Sequence, residues 1–277
     1  MLIVGCPVMD GHELTQQFAD SLATTVAEPA SFRLVIIDND SSEPYTLSEF
    51  SHLPFAVELV RHEENIGYYR PLAELNATSA DLVGLAHNDI IFYEVGWDTR
   101  VRDAFVTKSD LGMIGVCGSD ELDAAGGRGG GTMVNFRGEK GQLTEHTGRR
   151  TTELEPAVIL DSVVMVTRQS LVAYLKIDEN TPICHFIDKV WPLRLYEVGY
   201  KTAVLGIEVD HMGGQTAVVN TRFTDSCRDW CVAHNVPMPN DDASLGVYLD
   251  SESRFLNEYR AKGMIPSRMR GWDLVRA

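Results

Sequence analysis

The chain has 277 residues, 44% hydrophobic and 23% charged, which is ordinary for a soluble globular protein with room for one large α/β domain or a domain with an appendage. Its formal charge of −16 denies it the diffuse cationic field that drives phosphate-backbone binding, so nucleic acid is a weak partner expectation unless a local basic groove exists. No run approaches the length of a membrane span, and the opening MLIVGCPVMDG, with no basic region before its short apolar part, reads as a first strand rather than a signal peptide.

LIVGCPV (2–8) is the first predicted strand. A polar, amphipathic stretch runs from His12 to about Ala27, with Leu14, Phe18, Leu22 and Val26 at helical spacing. FRLVIIDND (32–40) is a continuous apolar strand ending in acids, and AVELVRH (56–62) is a third strand. RPLAELNATSA (70–80) predicts a helix with Pro71 suited to its first turn. DLVGLAHND (81–89) is a fourth strand, interrupted at its end by His87, Asn88 and Asp89 before apolar residues resume at Ile90. Strands alternating with helices predict a mostly parallel sheet covered on both faces. Ligands in such sheets bind beyond the carboxyl ends of the strands. The polar clusters Asp38-Asn39-Asp40 and His87-Asn88-Asp89 therefore fall on one edge.

GMIGVCGS (112–119) reads as another strand, and AAGGRGGGTM (124–133) is too glycine-rich to hold one conformation unaided. AVILDSVVMVTRQSL (157–171) is a strand carrying Asp161, followed by a helix start. DKVWPLRLYEVGY (188–200) reads as a helix closed by Gly199, and KTAVLGIEVDHMGG (201–214) as a strand ending in Asp210 and His211. After about Gln215 the pattern is polar and helical, with turns at PMPNDD (237–242). The five cysteines are scattered, and only Cys227 and Cys231 share a helix face; a zinc site there needs two more ligands nearby. Free thiols in a reducing, cytoplasmic compartment are expected.

VIIDNDSSE, ENIGYYRPLAELN, LAHNDI, LDSVVMVTR, FIDKVWPLRLYEVGY and VDHMGG occur in the order seen in GT-A glycosyltransferases. Together they most resemble the large inverting glycosyltransferase family 2, which uses nucleotide-diphosphate sugars. The resemblance covers roughly residues 2–215. It implies a GT-A (Rossmann-like) α/β domain over 1–215, a mostly parallel sheet flanked by helices, and a C-terminal helical extension over 216–277.

By this resemblance Asp38, with Asn39 beside it, binds the donor base or ribose, and Pro7 and Val8 line the base pocket. A carboxylate accepts hydrogen bonds from a uracil N–H or a ribose hydroxyl. Read alone, Asp38 and Asp40 are turn caps after a strand. Asp89 matches the last acid of a D-x-D-like motif whose first acid is replaced here by His87, and the resemblance gives it a divalent metal. The chemistry agrees, since a bridging cation neutralises a diphosphate leaving group, and Mn²⁺ or Mg²⁺ keeps several waters and needs few protein ligands. Asn88 is expected on a ribose or sugar hydroxyl, whereas His87 is expected to be packed and hydrogen-bonded rather than a ligand. His211 is the implied second ligand, and imidazole suits Mn²⁺ better than Mg²⁺. Asp210 should point the other way along the strand.

Asp188, six residues before Arg194, matches the family's general base. Pro192 is tolerable if Asp188 is the N-cap of its helix. Asp161 is a further cleft acid by analogy, for donor or acceptor sugar. Arg70 is a candidate phosphate contact or a solvated helix-start residue, and the glycine run 126–131 with Arg128 is a candidate lid. The expected activity is metal-dependent, inverting transfer from a nucleotide-diphosphate sugar, a UDP-sugar first, to a hydroxyl on a glycan, protein, lipid or modified base. Two rivals are a nucleotidyltransferase, disfavoured because GCPVMDG lacks the basic loop residue such enzymes carry, and a non-catalytic nucleotide- or carbohydrate-binding module of the same fold.

Overall fold

The computed structural model describes residues 1–276 apart from 76–79, 138–147, 178–180, 182–184 and 214–220. The first part runs β1 (Leu2–Val8), α1 (His12–Thr25), β2 (Phe32–Asn39), β3 (Ala56–His62), β4 (Leu82–Ala86), β5 (Ile90–Phe92), α2 (Trp97–Thr107) and β6 (Leu111–Gly115). Short strands follow: β7 (Gly118–Ser119), β8 (Glu121–Leu122), β9 (Thr132–Met133), β10 (Leu154–Pro156) and β11 (Ile159–Leu160). Then come β12 (Val164–Arg168), α3 (Ile187–Glu197), β13 (Lys201–Leu205) and β14 (Val209–His211). The last part is α4 (Thr221–His234), α5 (Ala243–Ala261), β15 (Ser267–Arg270) and β16 (Asp273–Arg276).

Among the described residues, eight strands form one sheet in the order β10-β13-β6-β12-β4-β1-β2-β3. β4, β1, β2 and β3 are parallel, as are β6 and β13, while β12 and β10 run antiparallel to their neighbours. The predicted α/β sheet is thus present, in mixed form. Alternation along β1 explains the two covering layers. Leu2, Val4, Cys6 and Val8 face α1 and α2 through Phe18, Leu22, Trp97 and Phe105. Ile3 faces the opposite layer, where Trp191 and Leu193 of α3 meet Phe255 and Tyr259 of α5. Gly5 is small because a β-carbon there would lie 2.6 Å from Leu75 Cδ1.

Several predicted elements are divided. The strand expected over 157–171 breaks at Asp161, whose Oδ1 accepts from Val163 N at 3.2 Å and turns the chain between β11 and β12. The strand expected over 201–214 breaks at Gly206, where a β-carbon would stand 1.9 Å from the Thr151 carbonyl oxygen; Gly214 lies outside the described residues. The helix expected over 70–80 is a 3-10 turn, Arg70–Ala73, with Pro71 in its first positions; 76–79 lie outside the described residues.

The C-terminal extension is helical in α4 and α5, which pack through Cys227, Trp230, Cys231, Ala243 and Val247. It then returns to the main body, because β15 pairs with both β16 and β8. No helix among the described residues is long and apolar enough to cross a membrane.

Candidate metal and donor site

The parallel strands β1, β2 and β4 end on one edge at Val8, Asn39 and Ala86. β12 runs the other way beside β4, so Asp161, just before β12, reaches the same edge. β14 pairs antiparallel with β5, and the register His211↔Ile90 sets His211 next to Asp89. Two backbone bonds lock this junction: Met212 N donates to Asp89 O at 2.9 Å and His87 N donates to Val163 O at 3.0 Å.

The result is a cluster of His87, Asp89 and His211 whose ligand atoms all lie within 4.8 Å of one another. Asp89 Oδ1 is 3.4 Å from His211 Nε2 and 3.7 Å from His87 Nδ1. That oxygen is buried and accepts no hydrogen bond of good geometry, so its charge relies on positive charge nearby, from a protonated imidazole or a bound cation. Burial alone would raise the Asp89 carboxyl, but the His211 and His87 imidazoles outweigh it and hold the acid well below the usual carboxylate range. Burial lowers His211, and Asp89 outweighs that and leaves it raised. One carboxylate oxygen and two imidazole nitrogens at this spacing fit a divalent first-row metal ion. His87 therefore differs from its expected packing role. It sits edge-on to Tyr68, with ring centroids 4.6 Å apart, and still presents Nδ1 to the cluster. Asp210 points away, accepting from Tyr93 Oη at 2.9 Å, as strand alternation predicts.

Two residues expected at the donor are turned inward instead. Asp38 is 0% exposed, and its carboxylate accepts from Ser41 N at 2.8 Å, Tyr45 N at 3.3 Å and Arg61 Nη1 at 2.5 Å. The register Asp38↔Arg61 between β2 and β3 creates that pairing. Burial raises the Asp38 carboxyl, but the bonds from Ser41, Arg61 and Tyr45 prevail and lower it. Asn88 donates from Nδ2 to Thr15 Oγ1 of α1 at 3.0 Å, so one end of its amide is held by the fold.

Asn39, on the opposite side of β2, differs. Its Nδ2 donates to Gly67 O at 3.1 Å, while its Oδ1 is buried with no hydrogen-bond partner. Pro7 and Val8 are buried at the end of β1, beside β2. Arg70 Nη2 reaches Thr181 O at 3.4 Å. With Tyr69, Leu72, Val172, Leu175 and Lys176 it lines a pocket of about 310 Å³.

The glycine run is held down. Asp123 Oδ1 accepts from the nitrogens of Ala125 and Gly127 at 2.8 Å each, and Gly126 turns at φ 80°. Lys189 Nζ donates to Gly126 O at 2.8 Å, Arg260 Nη2 donates to Ala124 O at 2.7 Å, and Ser119 Oγ donates to Arg128 O at 2.5 Å. The fastened turn aims Arg128 at Asp161, and the two form an ion pair. A lone arginine in a glycine run carries no signal of that partner.

Asp188 is the second residue of α3 rather than its N-cap; Phe186 takes the cap position at φ 63°, after His185 at φ 74°. Non-glycine residues seldom hold that conformation, and consecutive ones concentrate at functional sites. Pro192 lies inside α3 and has no N–H to give the Asp188 carbonyl four residues earlier. Enclosure by protein raises the Asp188 carboxyl most, and Asp161 raises it further. Lys189 and Arg128 oppose them, and it stands at about 6. His185 is pushed down to about 4 by burial, and its Nε2 has no hydrogen-bond partner.

No family model matches the sequence, and no curated protein does. Solved structures do. TarS 1–349 from S. aureus superposes at a TM-score of 0.53 with 16% identity over 83% of this chain and 64% of that one. GalNAc-T7 with UDP, GalNAc and Mn²⁺ gives 0.58 with 12% identity over 76% of this chain and 43% of that one. The mannosyltransferase PcManGT from Pyrobaculum calidifontis, with GDP-Man and Mn²⁺, gives 0.55 with 12% identity over 95% of this chain and 76% of that one. This chain thus spans under two thirds of the TarS fragment and of GalNAc-T7. All three are of the GT-A type, and this chain has the GT-A fold.

Proposed function

We propose that this chain is a metal-dependent glycosyltransferase that moves a sugar from a nucleoside-diphosphate sugar, a UDP-sugar first, to a hydroxyl acceptor with inversion at the anomeric carbon. The observation that carries this reading is the His87-Asp89-His211 cluster, with Asp188 raised to about 6 at the same edge of a GT-A sheet. His87, Asp89 and His211 would hold the ion, Mn²⁺ in preference to Mg²⁺ because two of the three donors are imidazoles. When bound, such an ion supplies positive charge to the diphosphate leaving group.

The remaining work belongs to the chain. Asn39 Oδ1, buried without a hydrogen-bond partner, is the acceptor assigned to the imino N–H of uracil once the base is seated. Pro7 and Val8 wall the base side. Asp188 takes the proton of the acceptor hydroxyl as its oxygen bonds to the anomeric carbon and the bond to the diphosphate breaks. At a value of about 6 this carboxylate is mostly ionised at pH 7, yet a stronger base than an exposed aspartate. A single displacement with base and leaving group on opposite sides inverts the carbon. Two structural neighbours hold Mn²⁺, one with UDP and one with GDP-Man, and TarS 1–349 is solved with UDP-GlcNAc. The buried free thiols Cys6, Cys117, Cys227 and Cys231 suit a reducing, cytoplasmic setting. Cys184 lies outside the described residues.

A thermal-shift series with UDP, GDP and CDP, with Mn²⁺ or with EDTA, tests the reading. UDP raises Tm only with Mn²⁺ present. Equal shifts in EDTA would sink the metal-bridged site. NMR of the first-formed product then reads the anomeric configuration, and retention would exclude the single displacement.

A further inference from the structure

Helix α4 follows directly on the segment 214–220 and lies outside the part of the sequence with family resemblance. It nevertheless touches the donor edge twice. Arg222 is ion-paired with Asp40 and donates from Nη1 to Ser42 Oγ at 3.3 Å. Asp40 sits at φ 63° directly after β2, and Arg61, which holds Asp38, also approaches it at 3.9 Å. One turn further along, Ser226 Oγ accepts from Asn65 Nδ2 at 3.3 Å and donates to Arg222 O at 2.9 Å. Asn65 Oδ1 in turn accepts from Gly67 N at 2.9 Å, and Gly67 O accepts from Asn39 Nδ2 at 3.1 Å.

The second of these relays ends on the amide that matters. A carboxamide has a donor end and an acceptor end, and only its partners decide which way it faces. Gly67 O takes the donor end of Asn39, which leaves Oδ1 as the end without a hydrogen-bond partner, buried at the carboxyl end of β2. A base bearing an imino N–H, such as uracil, complements that oxygen. Cytosine offers an acceptor at the same position and is repelled. We infer that α4 is a donor-positioning element: Ser226, through Asn65 and Gly67, fixes the orientation of the Asn39 amide, and Arg222 fixes the turn at Asp40, so that together they set affinity for, and choice of, the nucleotide base. This rests on the reading of Asn39 as the base contact. Neither Arg222 nor Ser226 needs to touch substrate.

The test uses the full chain with Mn²⁺ and titration calorimetry with UDP and CDP. Ser226→Ala and Asn65→Ala weaken UDP by roughly three- to tenfold, the worth of one buried neutral hydrogen bond, and lower the UDP-to-CDP affinity ratio because the Asn39 amide is freed to turn. Arg222→Ala weakens UDP by about tenfold or more, Arg222→Lys recovers part of it, and the exchange Asp40→Arg with Arg222→Asp recovers more than either single change. A merely structural helix would lower Tm without moving the base ratio or permitting the exchange to rescue. Wild-type protein that binds UDP tightly, with Ser226→Ala and Arg222→Ala variants keeping both its affinity and its base ratio, overturns the role of α4 alone. Wild-type protein that binds neither nucleotide with Mn²⁺ overturns the donor-site reading and this inference with it.

Discussion

Arg128 and Asp161 form an ion pair that acts on Asp188 and on His211 at once. Asp161 raises the Asp188 carboxyl and Arg128 lowers it, so the pair tunes the proposed base. Asp161→Asn removes the like charge and leaves Arg128 uncompensated, so the acid limb of kcat/KM moves below its wild-type position near pH 6. Arg128→Ala moves it the other way. Limbs that shift in the same direction in both variants would contradict this arrangement.

Asp188→Asn lowers turnover by roughly two to four powers of ten while leaving UDP affinity in Mn²⁺ nearly unchanged. In the wild type, activity falls as pH drops through about 6, where the carboxylate protonates. Stability responds with the opposite sign. An acid raised from an ordinary value near 4 to about 6 costs nothing below pH 4, and its full cost is present above pH 6. The Asn variant therefore gains up to about 3 kcal/mol at pH 7 and nothing at pH 4, which urea melts at the two pH values measure.

The metal cluster predicts proton release. His211 is raised beside Asp89, so the ion displaces a proton from an imidazole in acid solution. Mn²⁺ affinity begins to weaken above the ordinary histidine range, where the raised His211 takes its proton, and goes on falling as pH drops through that range; calorimetry in buffers of different ionisation enthalpy counts the proton released. Asp89→Asn removes the metal dependence of UDP binding. His87→Ala and His211→Ala each weaken Mn²⁺ by at least about tenfold. An unchanged Mn²⁺ affinity in His87→Ala would return that residue to a packing role.

Gly206→Ala tests the break between β13 and β14. The added methyl meets the Thr151 carbonyl oxygen at 1.9 Å and its carbon at 2.4 Å, both backbone atoms. The cost is about 3 kcal/mol, read as a drop in the urea midpoint. Mn²⁺ affinity falls as well, because β14 carries His211.

The polar strand ends were readable from sequence, since His87-Asn88-Asp89 and Asp210-His211 interrupt or end apolar runs that the parallel sheet carries to its carboxyl edge. Asp89, His211 and Asp188 come from local pattern and family resemblance together, and the structure brings them to one edge. Which of Asp38 and Asn39 is tied up by neighbouring side chains was not readable. Adjacent strand residues point to opposite faces, and only the register with Arg61 on β3 shows that Asp38 is the captured one. The nearness of His87 to His211 was not readable, because a single histidine carries no mark of its neighbours and the two meet only after β5 pairs with β14. The glycine run looked loose for a similar reason. Lys189 and Arg260, which tie it down, come from α3 and α5, the latter 136 residues away from its partner.

β15 pairs with β8 at the foot of the turn that carries Arg128, and Arg268 approaches Glu121 across a separation of 147 residues. During synthesis, at roughly 5–20 residues per second, the first partner leaves the ribosome on the order of ten seconds before the second. The turn beside Asp161 therefore waits with its edge strand uncovered, and β8 gains its partner only after α4 and α5 have been made. Pairings of such long range form slowly. A nascent chain stalled before residue 267 would carry His87, Asp89 and His211 while β8 still lacks its partner, so completion of this edge is timed by the arrival of a strand that carries none of the proposed site residues.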